Sequence, residues 1–132
     1  MTLRDSDRIV MVSLEIKRAK SCFDDCLLMV EHNRWSGAAG RMYYAVFHAV
    51  CALLIHDGHQ VKTHKGAGVM LSQHYIHTGT LPSHFGDLFY ELETIRERSD
   101  YDCFYNVSET DVVQFIKPAK EMIASIEKMV KQ

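Results

Sequence analysis

Arg41, Tyr44 and His48 stand three and four residues apart in the run RMYYAVFH. A helix carries all three on one face within two turns. Their surroundings are apolar, and a buried Arg or His must be partnered or must line a groove. An Arg presents a planar fork that fits a phosphate, and a His moves a proton near neutral pH. The plain alternative is that Arg41 pairs with a carboxylate and His48 hydrogen-bonds within the core.

A second group gathers at Glu93, Arg96, Arg98, Asp100, Tyr101 and Asp102. Arg96 follows Glu93 by one turn, so a simple ion pair within one helix explains much of it. Cations in a last turn also complement the helix dipole. The chemical alternative is a phosphate contact through Arg96, with Tyr101, Phe104 or Tyr105 free to stack on a base.

Metal binding has thinner support. His74 and His77 lie one turn apart, as do Cys22 and Cys26, and each pair supplies half of a four-ligand set. His64 and His84 are further donors, but no recognised ligand spacing is present. No metal and no other cofactor is expected. The sequence also lacks a phosphate-binding glycine loop, a dinucleotide fingerprint and a Gly-x-Ser-x-Gly elbow.

The elements that must position these residues read as helices. Ile9, Val12, Ile16, Ala19, Phe23, Leu27 and Val30 recur at steps of three or four and predict a long amphipathic helix capped by Ser6. A break at Asn33–Ser36 precedes a central helix, apolar on all sides except Arg41 and His48, which Ser36 caps and Asp57-Gly58 stops. A shorter helix runs from a Thr63 cap to His77 and stops at Gly79. Pro82 opens a helix to about Arg98, with Phe85, Leu88, Phe89, Leu92 and Ile95 as its stripe. After the polar and aromatic loop SDYDCFYNV, Ser108 caps a last helix that buries Val112, Phe115, Ala119, Met122, Ile126 and Met129. Pro118 is expected to kink it. No segment alternates with period two for the length of a strand, so the class is all-α, an up-and-down bundle of four to five helices.

The chain of 132 residues, 47% hydrophobic and 24% charged, suits a single domain over residues 1–132. Fifteen basic against seventeen acidic residues exclude a generally basic RNA-coating protein, while leaving room for a local basic patch. The four cysteines lack the pattern of a disulfide framework, and the opening MTLRDSDRIV is charged where a secretory segment is apolar. A reducing cytoplasm is therefore expected. The longest apolar run, Met42 to Ile55, is shorter than the ~20 residues a membrane span needs, so no membrane association is expected.

The run RMYYAVFHAVCALL at Arg41 to Leu54 resembles the HEPN family of bacterial and archaeal helical domains, in particular its small stand-alone branch. The likeness continues through Lys62-Thr63-His64-Lys65-Gly66 and HYIHTGTLP at His74 to Pro82. It ends in RERSDYDCF at Arg96 to Phe104. The resemblance implies a helical bundle that forms a homodimer, is often encoded beside a minimal nucleotidyltransferase, and works with it as a toxin–antitoxin or similar pair. It also implies a metal-independent ribonuclease motif, Arg-x(4–6)-His, on the later helix. Arg96 matches the motif arginine, but Tyr101, Asp102 and Cys103 stand where the histidine belongs. Neither phenol nor carboxylate replaces imidazole near neutral pH. The one formal match, Arg41-x(6)-His48, lies on the central helix.

These readings lead to a non-catalytic or weakly active HEPN module that binds nucleotide or RNA. Arg96 contacts phosphate, Tyr101 stacks or hydrogen-bonds, Asp100 belongs to the same binding group, and Arg41, Tyr44 and His48 line the groove. A second expectation is a working ribonuclease with His48 as acid/base and Arg41 or Arg96 at the phosphate. A third is a module that only binds other proteins.

Overall fold

The computed structural model describes residues 4–131. They form helices α1 (Asp5–Glu31), α2 (Trp35–His56), α3 (His64–Leu71), α4 (Ser83–Tyr101) and α5 (Glu109–Val130), with a π-helical turn, Ser72–Ile76, continuing α3. There is no strand among the described residues. The all-α class follows from sequence periodicity, and the structure bears it out.

Helix α2 packs against each of the other four α-helices. It is long and apolar enough to cross a membrane by length and composition alone, longer than the apolar run within it suggests. Yet 67% of its apolar window is buried inside the protein. Met42, Tyr43, Val46, Leu53 and Leu54 are its largest fully or nearly fully buried side chains, and they belong to one continuous core shared with α1, α3, α4 and α5.

The capping chemistry holds at two of four predicted starts. Thr63 Oγ1 accepts from the Gly66 amide at 2.8 Å and opens α3. Ser108 and Asp111 form a reciprocal capping box that opens α5. The predicted Ser6 and Ser36 caps are corrected: the chain turns helical earlier, after Arg4 and Arg34. Ser36 Oγ instead meets Ser99 Oγ at 2.6 Å and ties α2 to α4.

The predicted core stripe of α4 is buried in full. That of α1 is rotated at its ends, for Ile9 is 71% exposed and Leu27 is exposed while Cys26 is buried. The middle of α1 sets the contact with α2, and a regular helix then carries its terminal apolar residues off that line. On α5, Phe115 and Met129 are half-buried and Ile123 takes a core place. Pro118 sits within an α5 that stays helical from end to end.

The third predicted helix divides into α3 and the π-helical turn before Gly79, whose φ of +76° suits glycine. Gly58, at φ +86°, ends α2 in the same way. Helix α4 outruns its predicted end at Arg98 and takes in Ser99, Asp100 and Tyr101. Its carboxy-terminal turn therefore carries the second candidate group.

Candidate phosphate and base site

The face of α2 that carries Arg41, Tyr44 and His48 meets the start of α3 and the last turns of α4. The Arg41 guanidinium carbon lies 5.2 Å from the Tyr44 ring centroid. Arg96, from α4, places its guanidinium carbon 5.1 Å from the Tyr43 ring and 5.9 Å from the Tyr44 ring. Two arginines from different helices thus flank one tyrosine. Such cation–π contacts stabilise by about 0.5–2 kcal/mol and hold each guanidinium near its ring.

The Arg96 side chain is only 14% exposed. Its Nη1 donates to Asp100 Oδ2 at 3.2 Å, and Nη2 lies 4.0 Å from Glu97 Oε1. Its buried Nε has no partner in the protein. The ion pair expected with Glu93 is replaced by one with Asp100, four residues on, which faces the same side of α4. Asp100 therefore stands beside Arg96 as its counter-charge. Tyr101 follows Arg96 by five residues, which turns it about 140° round the axis from Arg96. Its side chain is 83% exposed, outside the cluster.

The structure adds His64, which sequence reasoning weighed only as a spare metal donor. Thr63 caps α3 and so makes His64 its first residue. The His64 ring lies 4.2 Å from the Phe47 ring, and its Nδ1 is 2.9 Å from Tyr43 Oη. Tyr43 and Phe47, four apart on α2, thus hold the imidazole from both its edge and its face. Burial pushes the Tyr43 phenol well above its ordinary value, so it keeps its proton. The carboxyl of Glu93 is raised, first by burial and then by the Glu97 charge. The Tyr43–His64 hydrogen bond links α2 to the start of α3. It leaves His64 Nε2 as the free ring nitrogen. Burial lowers the His64 pKa, and the Arg96 and His48 charges lower it further, so the ring is neutral at pH 7.

His48 Nδ1 lies 2.8 Å from Glu15 Oε2 of α1, in a pair whose side chains are 16% and 22% exposed. His48 is thus hydrogen-bonded, as the plainer expectation has it, but at a half-buried position instead of within the core. Arg41 has no carboxylate partner among the described residues. No group of three or more His, Cys, Asp or Glu side chains arranged for a metal occurs among the described residues. Cys26 is buried, His74 stacks on His59 at 4.1 Å, and His84 packs on Phe85.

Taken together, the site is a cationic and aromatic surface on a helical bundle. Two arginines, one neutral imidazole and two phenols converge from three helices, a donor set suited to phosphate and to flat rings. The chain belongs to the HEPN domain family, whose model matches residues 12–129. It is 29% identical to a UPF0332 protein of Thermotoga maritima over 86% of each chain. A second UPF0332 protein, from Archaeoglobus fulgidus, is 27% identical over 83% of this chain and 86% of its own. A Methanocaldococcus jannaschii protein named as a candidate toxin is 25% identical over 80% of this chain and 78% of its own.

Proposed function

We propose that this HEPN domain binds RNA or a nucleotide, with Arg96 as the phosphate anchor and Arg41 and Tyr44 beside it. The observation that carries this reading is the Arg96 guanidinium, held 5.1 Å from the Tyr43 ring and 5.9 Å from the Tyr44 ring with its side chain only 14% exposed. A fixed, planar, partly desolvated fork binds phosphate oxygens with less ordering cost than a free surface arginine. The net charge of -2 confines phosphate attraction to this local patch. The assembly we propose is a homodimer that acts with a nucleotidyltransferase as a toxin–antitoxin-like pair in the cytoplasm. The relative named as a candidate toxin supports that role.

Fluorescence anisotropy with a labelled single-stranded RNA at low salt tests the binding. Saturable binding that weakens with salt and is lost in Arg96→Ala supports it. Equal signals from wild type and Arg96→Ala overturn it.

One observation favours a second reading, metal-independent RNA cleavage. His64, in place of the expected His48, presents a neutral imidazole next to Arg96. In this reading His64 Nε2 takes the 2'-hydroxyl proton while O2' attacks phosphorus and the P–O5' bond breaks. Water protonates the departing O5', and the resulting hydroxide takes the proton back from His64. Incubation with single-stranded RNA in EDTA decides it: cleavage abolished by His64→Ala supports the step, and RNA left intact at high protein excludes it.

A further inference from the structure

A groove opens on the other side of His64. It measures 630 Å³ and lies between α1, α2 and the loop leading into α3. That volume is within the range of small-ligand sites. Met11, Phe47, Cys51, Ile55 and Val61 make its lining mainly apolar. Its polar groups are the Glu15 carboxylate, the Gln60 amide, Lys62, the Thr63 hydroxyl and the His59 and His64 rings. His64 belongs to this groove and also touches Tyr43, the ring on which Arg96 rests. The groove and the arginine cluster are therefore neighbours across one tyrosine and one histidine.

We infer that this groove is a nucleobase subsite, which takes the base of the nucleotide whose phosphate meets Arg96. A base is flat and apolar on its faces, with donors and acceptors on its edge, and the groove has the same division. Met11, Phe47 and Ile55 offer apolar walls. The Gln60 amide presents a donor and an acceptor side by side, the pairing that reads an adenine edge. Glu15 uses Oε2 on His48, so Oε1 remains to accept from an exocyclic amine. Lys62 adds a positive charge to the lining. The inference rests on the Arg96 reading for the position of the phosphate, but the groove's affinity for a base does not need it.

The test uses the full chain and two probes, adenosine and ribose 5-phosphate, followed by NMR of the histidine and methionine side chains. Adenosine is expected to shift Met11 and His64 in wild type, and to shift Met11 equally in Arg96→Ala. Met11→Trp fills the groove from an exposed position on α1 and is expected to weaken adenosine by on the order of tenfold, the effect of losing one stacked base. Gln60→Ala, at an exposed loop position, is expected to weaken adenosine in the same direction. Ribose 5-phosphate is expected to bind through Arg96 and to ignore Met11→Trp. Loss of ribose 5-phosphate binding alone counts against the phosphate anchor and leaves the base subsite standing. Adenosine that shifts no groove residue, or that binds Met11→Trp and Gln60→Ala as it binds wild type, overturns the subsite. A change of sedimenting mass in Met11→Trp with adenosine binding untouched overturns it in favour of a second copy of the chain.

Discussion

His64 Nδ1 lies 2.9 Å from Tyr43 Oη, and that phenol ring in turn carries the Arg96 guanidinium at 5.1 Å. The first residue of one helix is thereby linked to Arg96 of another through a side chain of the central helix. The contact makes three residues respond as one unit, so a change in any of them reaches the other two.

The titration of His64 reports on this unit. Burial lowers its pKa first and the Arg96 charge second, so Arg96→Ala is expected to move it back towards the ordinary value near 6.5. NMR titration of the ring measures the shift. No upward movement in Arg96→Ala separates the two groups electrostatically.

Stability follows from the same direction. The unfolded chain takes up a proton on His64 as pH falls through about 6.5, and the folded chain resists it. The contribution of His64 to stability is thus complete above that pH and is lost as pH falls through the lowered folded value. Urea midpoints measured at pH 7.5 and 5.5 should differ less in His64→Asn than in wild type.

Asp100 competes with any phosphate for Arg96, since its carboxylate already holds Nη1 at 3.2 Å. Asp100→Asn removes one negative charge and is expected to strengthen single-stranded RNA binding by about two- to fivefold at low salt. Weaker binding in this variant would show that Asp100 positions the guanidinium more than it neutralises it.

The capping box at Ser108 should stand out in stability alone. Ser108→Ala frees the Asp111 amide and is expected to cost about 1 kcal/mol by urea denaturation. Phosphate and nucleoside binding should be unchanged, because the α5 start contributes no group to the site.

Much of the architecture is local and was therefore legible in the sequence. Periodicity in Phe85, Leu88, Phe89, Leu92 and Ile95 is enough to assign both the helix and its buried face. Thr63 and Ser108 act on amides three residues away, so their capping also needs no tertiary knowledge. Likewise Arg41, Tyr44 and His48 share a face by spacing alone.

Only tertiary structure decided which of those faces meet. His64 and Arg96 lie on separate helices, and their approach depends on how α3 and α4 are rotated and crossed against α2. Side-chain spacing within one helix carries no information about that rotation. The same cause exposes Ile9 while burying Cys26. The motif position after Arg96 has no histidine, yet the fold sets one beside that arginine from another helix, because packing brings together what linear order keeps apart.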